Sequence, residues 1–187
     1  MSLFDKIQVS FFQSVTTRTA GFATIPQENL TNAAAAVSII LMLIGGSPVG
    51  TAGGMKTTTI AVLVSSALSV FRKKKDTHFF KRRIPDYTVK SAASIFLLYI
   101  GLFIGGGMII SRLENIPLLP SLFETASAIG TVGLSLGITS QLGIVSQFIL
   151  IVLMFLGRVG GLTLIFAAMK GTGTNVTKYP QEKITVG

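Results

Sequence analysis

Residues 30–71 form a stretch in which Lys56 is the one charged residue. As a single straight α-helix this stretch would rise about 60 Å, twice the roughly 30 Å of a bilayer's hydrocarbon core. Its middle, residues 45–59, contains five glycines, a proline and five hydroxyl side chains, a composition that disfavours a helix. Apolar runs flank this middle at 33–44 and 60–71. The stretch therefore predicts two helices joined by a non-helical loop at membrane depth, where the loop must be buried in protein or line water.

The composition of the whole chain also favours a protein that lies in a bilayer. Charged residues make up 12% of the chain and hydrophobic residues 49%, whereas soluble domains carry about 25% charged residues. Cysteine is absent and histidine occurs once, at His78, which excludes disulfides, thiolate metal sites, cysteine nucleophiles and histidine metal clusters. No pair among the seven carboxylates has a spacing that suggests catalysis, so we expect no enzymatic activity.

The formal net charge of +9 is unevenly distributed. Eight of the sixteen Lys and Arg residues fall within residues 72–90, between two apolar regions. The positive-inside rule predicts that this segment is a cytoplasmic loop in contact with lipid headgroups. Binding to nucleic acid is disfavoured because no soluble fold surrounds the basic cluster.

A short apolar helix followed by a glycine-centred turn occurs twice in the chain. Residues 3–16 and 121–129 predict helices that are too short to span a bilayer, which needs about 20 residues. The turns that follow them are Thr19, Ala20, Gly21 and Phe22 in the first copy, and Thr131, Val132, Gly133 and Leu134 in the second. The two glycines are 112 residues apart. This repetition makes a chance match less plausible than it would be for either turn alone.

Longer apolar segments complete the two copies. Residues 88–111 predict a spanning helix in front of the second copy, and Gly101 and Gly105 within it form a pattern that favours close helix approach. Residues 142–169 predict a last spanning helix that is interrupted around Arg158. The fold class predicted is an all-α membrane protein built from helix–pore-loop–helix repeats, one complete and one partial.

Loops of this kind suit the conduction of potassium. Rings of backbone carbonyls can replace the water around the ion, and turning those carbonyls inward requires dihedral angles that glycine tolerates best. A short helix in front of the loop directs its carbonyl end towards the cation. Both glycine-centred turns meet these requirements, so we expect them to bind potassium through their backbone carbonyls.

Several segments together resemble the Ktr/Trk-type bacterial potassium transporters, above all the membrane subunit of Ktr systems. The segments are 16–22, similar to a third pore loop; 50–57, similar to an intramembrane gating loop; 124–134, similar to a fourth pore helix and filter; 157–161, similar to a broken last helix; and 179–184, similar to the C-terminal tail. The resemblance covers essentially the whole chain. It implies a partial third repeat at 1–71, a basic cytoplasmic loop at 72–90, a fourth repeat at 91–169 and a cytoplasmic tail at 170–187.

The resemblance also implies a gate below the filter. Its residues are Gly50, Gly53, Gly54, Lys56, Thr57 and Arg158. A charge inside a bilayer is costly, so Lys56 either acts on the ion path or snorkels to the interface, and Arg158 either lines the pore and bonds to the gating loop or joins helices. Residues 50–57 approach a nucleotide-binding P-loop, but Met55 replaces its second glycine and no strand precedes it, so nucleotide binding there is rejected.

Two further residues have alternative roles. Arg18 either supports the first turn, as the resemblance implies, or anchors the chain at the interface. Glu124 either bonds to backbone donors behind the second turn or faces the outer water.

The family implies partners and a location as well. We expect a multi-pass protein of the inner (plasma) membrane, with 72–90 and the C-terminus in the cytoplasm and a homodimer formed by the complete protein. A cytoplasmic ring of regulatory subunits would bind nucleotide, this chain would hold no cofactor, and potassium, with sodium as a possible second ion, would be the transported species. The alternative is a truncated chain that assembles with partners but conducts nothing, because two quarters of a filter cannot enclose an ion.

Overall fold

The structure is a computed structural model that describes residues 2–48, 50–74 and 76–160. These residues are mostly helical, as predicted. The helices are α1 (Leu3–Thr16), α2 (Asn32–Leu43), α3 (Thr57–Phe71), α4 (Asp86–Glu114), α5 (Leu118–Ile129) and α6 (Ile144–Val159). Short 3-10 turns lie at Gln27–Asn29 and Thr139–Gln141, and a hairpin is formed by β1 (His78–Phe79) and β2 (Arg82–Arg83). The predicted continuation of the last helix to residue 169 and the predicted tail at 170–187 lie outside the described residues.

Local chemistry explains where the helices begin and end. At α1, Asp5 donates its N–H to the Ser2 hydroxyl over 3.1 Å and its carboxylate accepts from the Ser2 N–H over 3.0 Å, a reciprocal cap. Between α2 and α3 the described residues of the glycine- and proline-rich segment, 45–48 and 50–56, are non-helical, as the sequence predicted. At the end of α4, Asn115 adopts a left-handed conformation and the Ile116 N–H reaches back to the Ser111 carbonyl over 3.2 Å.

Several predicted helix boundaries are wrong. Helix α3 begins at Thr57, inside the segment 45–59 that was predicted to be non-helical. Helix α4 begins at Asp86, inside the predicted loop 72–90, because Pro85 takes the N-cap position, where a missing N–H is harmless. Helix α5 begins at Leu118 rather than at residue 121, and Pro120 lies within its first turn, where proline is tolerated for the same reason. The hairpin of β1 and β2 within the basic loop was not predicted.

Helix α4 is the longest described helix. Its 29 residues rise about 43 Å, and within the described ranges it is the one helix whose length and composition suffice to cross a membrane. The other apolar helices α2, α3, α5 and α6 are shorter.

The core of the described structure surrounds α5. Helices α2, α4 and α6 all pack against it, and Phe123 and Ile129 of α5 are fully buried. Gly101 and Gly105 were predicted to allow close helix packing, but α4 does not approach α5 at these residues. A Cβ added at either glycine would meet no atom within 4 Å. Gly107 fills this role instead, since a Cβ there would press against the Leu122 side chain of α5.

Elements of the first part of the chain recur later with one constant offset. The 3-10 turns begin at Gln27 and Thr139, and the helices that follow begin at Asn32 and Ile144. Both pairs of starting positions are 112 residues apart, the same separation as between Gly21 and Gly133. The two segments therefore share an order of helix, loop, 3-10 turn and helix.

Candidate functional site

The two glycine-centred turns have the same unusual backbone. Thr19 and Gly21 have φ angles of 65° and 74°, and Thr131 and Gly133 have φ angles of 50° and 93°. Ala20 and Val132, the middle residue of each pair, do not have positive φ. The backbone of each turn therefore alternates between positive and negative φ. This alternation lets successive carbonyls face the same side, which is the arrangement that a cation-binding loop needs. Positive φ is unfavourable for a β-branched residue, so the surroundings must hold both threonines in place.

The turns lie side by side although they are far apart in sequence. The Thr19 hydroxyl donates to the carbonyl of Gly130 over 3.1 Å. Gly21 lies so close to the carbonyl oxygen of Val132 that a Cβ at position 21 would overlap it. The first turn therefore packs directly on the second, and glycine at position 21 is required by space as well as by its φ angle.

Each turn is fastened to the last turn of the helix before it. In the first copy, Thr16 is fully buried, its hydroxyl donates to the Phe22 carbonyl over 2.6 Å, and its own carbonyl accepts from the N–H of Gly21 over 3.1 Å. In the second copy, the Ser127 carbonyl accepts from the N–H of Val132 over 2.9 Å, and the Ser127 hydroxyl accepts from the N–H of Gly133 over 3.1 Å. The carbonyl ends of α1 and α5 thus lead straight into the turns, where their dipoles favour a cation.

The exposure of the predicted site residues differs between the copies. In the first copy Thr19 and Gly21 are half-buried and Ala20 and Phe22 are exposed, while in the second Thr131 is half-buried, Val132 and Leu134 are buried and Gly133 is exposed. Of the predicted gate residues, Gly53 and Gly54 are buried, Lys56 and Thr57 are half-buried, and Gly50 and Arg158 are exposed.

A buried carboxylate holds the chain that leaves the second turn. Glu124 is 4% exposed and accepts from the Ser135 hydroxyl over 2.5 Å, the Leu136 N–H over 3.3 Å and the Thr139 hydroxyl over 2.8 Å. Glu124 therefore does not face the outer water. One of its three donors is a backbone N–H, as one alternative predicted, and the other two are hydroxyl groups.

The first copy uses neutral side chains for the same purpose. The amide of Gln13 in α1 donates to the amide of Gln27 over 2.6 Å, and Gln27 is buried. Gln27 and Thr139 are 112 residues apart, so both bonds join a short helix to equivalent positions. The sequence analysis missed Gln13, Gln27, Ser135 and Thr139, although the repeat offset could have identified Gln27 and Thr139 as counterparts.

The non-helical segment 45–56 is closed at its base. The N–H of Gly45 donates to the Met55 carbonyl over 2.7 Å, and the N–H of Met55 donates to the Leu43 carbonyl over 3.1 Å. Inside the segment, the Lys56 ammonium donates to the carbonyls of Ala52 over 2.5 Å and Gly50 over 3.3 Å. The charge of Lys56 is therefore held against loop carbonyls rather than extended away from the loop.

This closed loop is attached to the second turn and to α6. The Gly53 N–H donates to the Thr131 hydroxyl over 3.1 Å, and a Cβ on Gly53 would overlap that threonine side chain. The Arg158 guanidinium donates to the Thr51 carbonyl. Helix α6 comes equally close, because a Cβ on Gly157 would overlap the Ile129 carbonyl at the end of α5.

Arg158 lies at the interruption that the sequence predicted in the last apolar run. It is the penultimate residue of α6, which ends at Val159, and Gly160 follows with a φ of 88°. Arg18 is exposed, and its side chain has no hydrogen bond or ion pair within the described ranges.

A cavity of about 450 Å³ opens beside the second turn. It lies between this turn and α6, with Glu124 and Ser135 on one side and Met154 and Arg158 on the other. Among the described residues, no group of three or more His, Cys, Asp or Glu side chains could hold a metal ion.

Comparison with known proteins assigns the chain to a protein family. Residues 2–178 match the family model TrkH, described as a cation transport protein. The family model thus describes a class of cation transport proteins, and the chain belongs to this TrkH family. The predicted resemblance to Ktr/Trk-type transporters is confirmed, and proteins of this family are membrane proteins and transporters rather than enzymes.

Individual relatives agree with this assignment. The chain is 36% identical over 192 residues to the Ktr system potassium uptake protein B of Bacillus subtilis and 35% identical over 189 residues to the potassium/sodium uptake protein NtpJ of Enterococcus hirae. The alignments include 100% and 98% of this chain but only 42% of each relative. The chain therefore spans about two fifths of the length of these relatives.

A solved structure shares the fold. The potassium transporter TrkH of Vibrio parahaemolyticus superimposes with a TM-score of 0.75 at 21% identity, and the match covers 91% of this chain and 38% of that one. At this identity the likeness concerns the fold alone.

Proposed function

We propose that the chain takes part in potassium transport across the membrane, as a pore-forming part of a Ktr/Trk-type uptake system. The observation that carries the proposal is the pair of adjoining turns with matching alternation of backbone handedness at Thr19–Gly21 and Thr131–Gly133. The names of the relatives, which are potassium or potassium/sodium uptake proteins, support the same activity.

In this proposal the two turns are two quarters of a selectivity filter. Carbonyls of residues 19–22 and 131–134 bind the dehydrated ion, and the hydrogen bond from Thr19 to Gly130 sets the position of one quarter against the next. The two segments related by the offset of 112 are then helix–pore-loop–helix repeats, one partial at 1–71 and one complete at 91–169. Two further quarters are needed to surround the ion, from the remaining length that the relatives possess or from another chain.

The closed loop 45–56, together with Thr57 after it and Arg158 of α6, is proposed as the gate. It touches the filter turn through Gly53 and carries the ammonium of Lys56, and the guanidinium of Arg158 reaches it from α6. Two positive charges next to the inner end of the turn would oppose a cation. Opening then requires Arg158 and Thr131 to release the loop.

The remaining features of the proposal concern location and partners. We propose a multi-pass protein of the inner (plasma) membrane with 72–90 and the C-terminus in the cytoplasm, and a homodimer formed by the complete protein. Relatives named for the Ktr system support a transporter of several components, with a cytoplasmic nucleotide-binding ring as the regulatory partner. The relative named for potassium and sodium supports sodium as a second ion.

A second candidate is a non-conducting chain that only assembles with partner subunits. One observation favours it: the chain aligns with 42% of the length of each of the two relatives, and it contains two of the four loops that surround an ion.

Uptake measurements separate the two candidates. The chain would be expressed in cells lacking potassium transporters, both alone and in place of the matching part of the Bacillus subtilis relative. We expect the chimera to restore rubidium uptake and growth at low potassium, and the chain alone to restore neither. Rescue by the chain alone would show that two turns suffice, whereas a chimera that reaches the membrane and transports nothing would contradict the proposed activity.

A further inference from the structure

The basic segment between α3 and α4 forms a cationic hairpin with an aromatic tip. We call residues 77–84 the basic hairpin. His78 pairs with Arg83 and Phe79 with Arg82 in antiparallel register, and the Ile84 N–H donates to the Thr77 carbonyl over 2.9 Å at the base.

The tip of the basic hairpin is strained. Phe80 and Lys81 form its two-residue turn with φ angles of 45° and 63°. Such a turn matches the twist of the strands, but it normally contains Asn or Gly, because a Cβ is unfavourable at positive φ. Here the strain places an aromatic ring at the apex, and Phe80 is 87% exposed.

The ring of Phe80 has little protein around it. Its described aromatic contact is the edge-to-face packing on Phe79, with ring centroids 4.6 Å apart. A strained turn that presents a phenylalanine to water combines two unfavourable features. Strain of this kind persists where the surroundings compensate for it, so a partner for the tip is expected beyond the described residues.

The charge around the tip restricts the chemistry of that partner. The cations Arg72, Lys73, Lys74, Lys81, Arg82 and Arg83 are all exposed. In the described part of the chain one ion pair is formed, between Arg83 and Asp76 at 2.9 Å, and its exposure makes it weak. The partner should therefore be anionic, and apolar where it meets Phe80.

The position of the basic hairpin indicates which anionic partner this is. Strand β1 packs against the apolar helix α3, whose last residues Val70 and Phe71 are 71% and 81% exposed. On the other side, Tyr87 in the first turn of α4 is 72% exposed. The basic hairpin thus lies between the exposed apolar end of α3 and the exposed Tyr87 at the start of α4, a position that suits the boundary between hydrocarbon and headgroups. Aromatic rings and Lys or Arg side chains are enriched at this depth.

We infer that the basic hairpin docks into a leaflet of anionic lipid. Phe80 and Phe79 insert below the headgroups, while Lys74, Lys81 and Arg82 pair with lipid phosphates. This goes beyond a general attraction of a basic loop to the membrane, because it assigns a defined apolar tip that enters the bilayer. It is independent of whether the chain conducts potassium.

A tryptophan reporter tests the insertion directly, because the chain contains no Trp. The Phe80→Trp variant would be reconstituted in phosphatidylcholine vesicles with and without phosphatidylglycerol, both containing brominated acyl chains that quench Trp fluorescence. We expect strong quenching and a blue-shifted emission with phosphatidylglycerol, and weak quenching without it. Leu97→Trp on the exposed side of α4 is the control, and it should be quenched in both membranes if the chain is inserted.

Charge variants test the role of the cations. In the Phe80→Trp background, the pair Lys74→Gln and Lys81→Gln should lower the ratio of inserted to free tip about fivefold per charge removed. The matched pair Lys6→Gln and Arg112→Gln removes two exposed charges elsewhere and should leave the quenching unchanged.

Three results would overturn the inference. Equal quenching with and without phosphatidylglycerol would show that anionic lipid is not recognised. Fluorescence of the Phe80→Trp variant that only water-soluble acrylamide quenches would place the tip in water. Fluorescence that neither quencher reaches would mean that protein covers the tip, as expected if a regulatory subunit is the true partner.

Discussion

Gly53 donates its backbone N–H to the hydroxyl of Thr131 over 3.1 Å, and this bond joins the closed loop 45–56 to the second glycine-centred turn. The two residues are 78 positions apart in the chain. If the turn is a filter quarter and the loop is the gate, the bond connects the two functional parts without any intervening residue. A lone pair of the Thr131 hydroxyl is then engaged by protein while the loop is docked.

The first prediction concerns Gly53→Ala. A methyl group would overlap the Thr131 side chain, so the loop must leave its docked position. We expect faster rubidium uptake through the chimera, measured as initial rate at equal amounts of protein in the membrane. Gly101→Ala on α4 is the matched control, because Gly101 is exposed and a methyl group there would meet no atom within 4 Å. An unchanged rate for Gly53→Ala would show that this contact does not restrict the ion path.

The second prediction concerns the charge at Arg158. Arg158→Gln removes the positive charge but retains an N–H donor for the Thr51 carbonyl, whereas Arg158→Lys retains the charge. If the charge opposes cations, uptake should rise several-fold in the Gln variant and change little in the Lys variant. Equal rates in both variants would show that the charge at position 158 does not limit transport.

The third prediction concerns ion selectivity. Gly133 has a φ of 93°, and a Cβ there would meet no atom within 4 Å, so the cost of a Cβ in Gly133→Ser comes from the backbone conformation rather than from a clash. A residue with a Cβ is destabilised in this conformation by about 1–2 kcal/mol, and we expect the ratio of rubidium to sodium uptake to fall about tenfold. Gly105→Ser on α4, where space is also open, should leave the ratio unchanged. A normal ratio in the Gly133 variant would remove this residue from the filter.

The fourth prediction concerns the buried carboxylate. Replacing Glu124 by Leu would leave the donors of Ser135, Leu136 and Thr139 without their acceptor, at about 1–3 kcal/mol for each group that stays buried and unpaired. We expect a lower midpoint of thermal unfolding in detergent, and a smaller loss for Glu124→Gln, which keeps one oxygen as acceptor. Asp86→Asn at the exposed start of α4 serves as the comparison. A Leu variant as stable as the parent chain would show that water replaces the carboxylate.

Much of the fold could be predicted because its signals are local. The span of α1, the break between α2 and α3, and the two glycine-centred turns follow from apolar periodicity and from residues that disfavour helix. The starts of α4 and α5 were predicted too late in the chain. Each lies beside a proline, Pro85 or Pro120, which adds nothing to the apolar pattern although it fits the N-cap or the first turn of a helix.

Other features depend on contacts that no local pattern encodes. Close packing of α4 and α5 uses Gly107 and not Gly101 or Gly105, since only the rotation of the two helices decides which glycine faces Leu122. The hairpin at Phe80 and Lys81 was missed because its turn lacks the Asn or Gly that would have marked it.

The sequence by itself determined the helical elements, the family and the internal offset of 112 residues, because hydrophobic periodicity and glycine position act within a few residues. Only the tertiary structure decided that Thr19 bonds to Gly130, that Gly53 bonds to Thr131 and that Arg158 reaches Thr51. Each of these bonds joins residues at least 78 positions apart. Their partners are selected by the way α2, α5 and α6 pack around one another, which is a property of the whole described core.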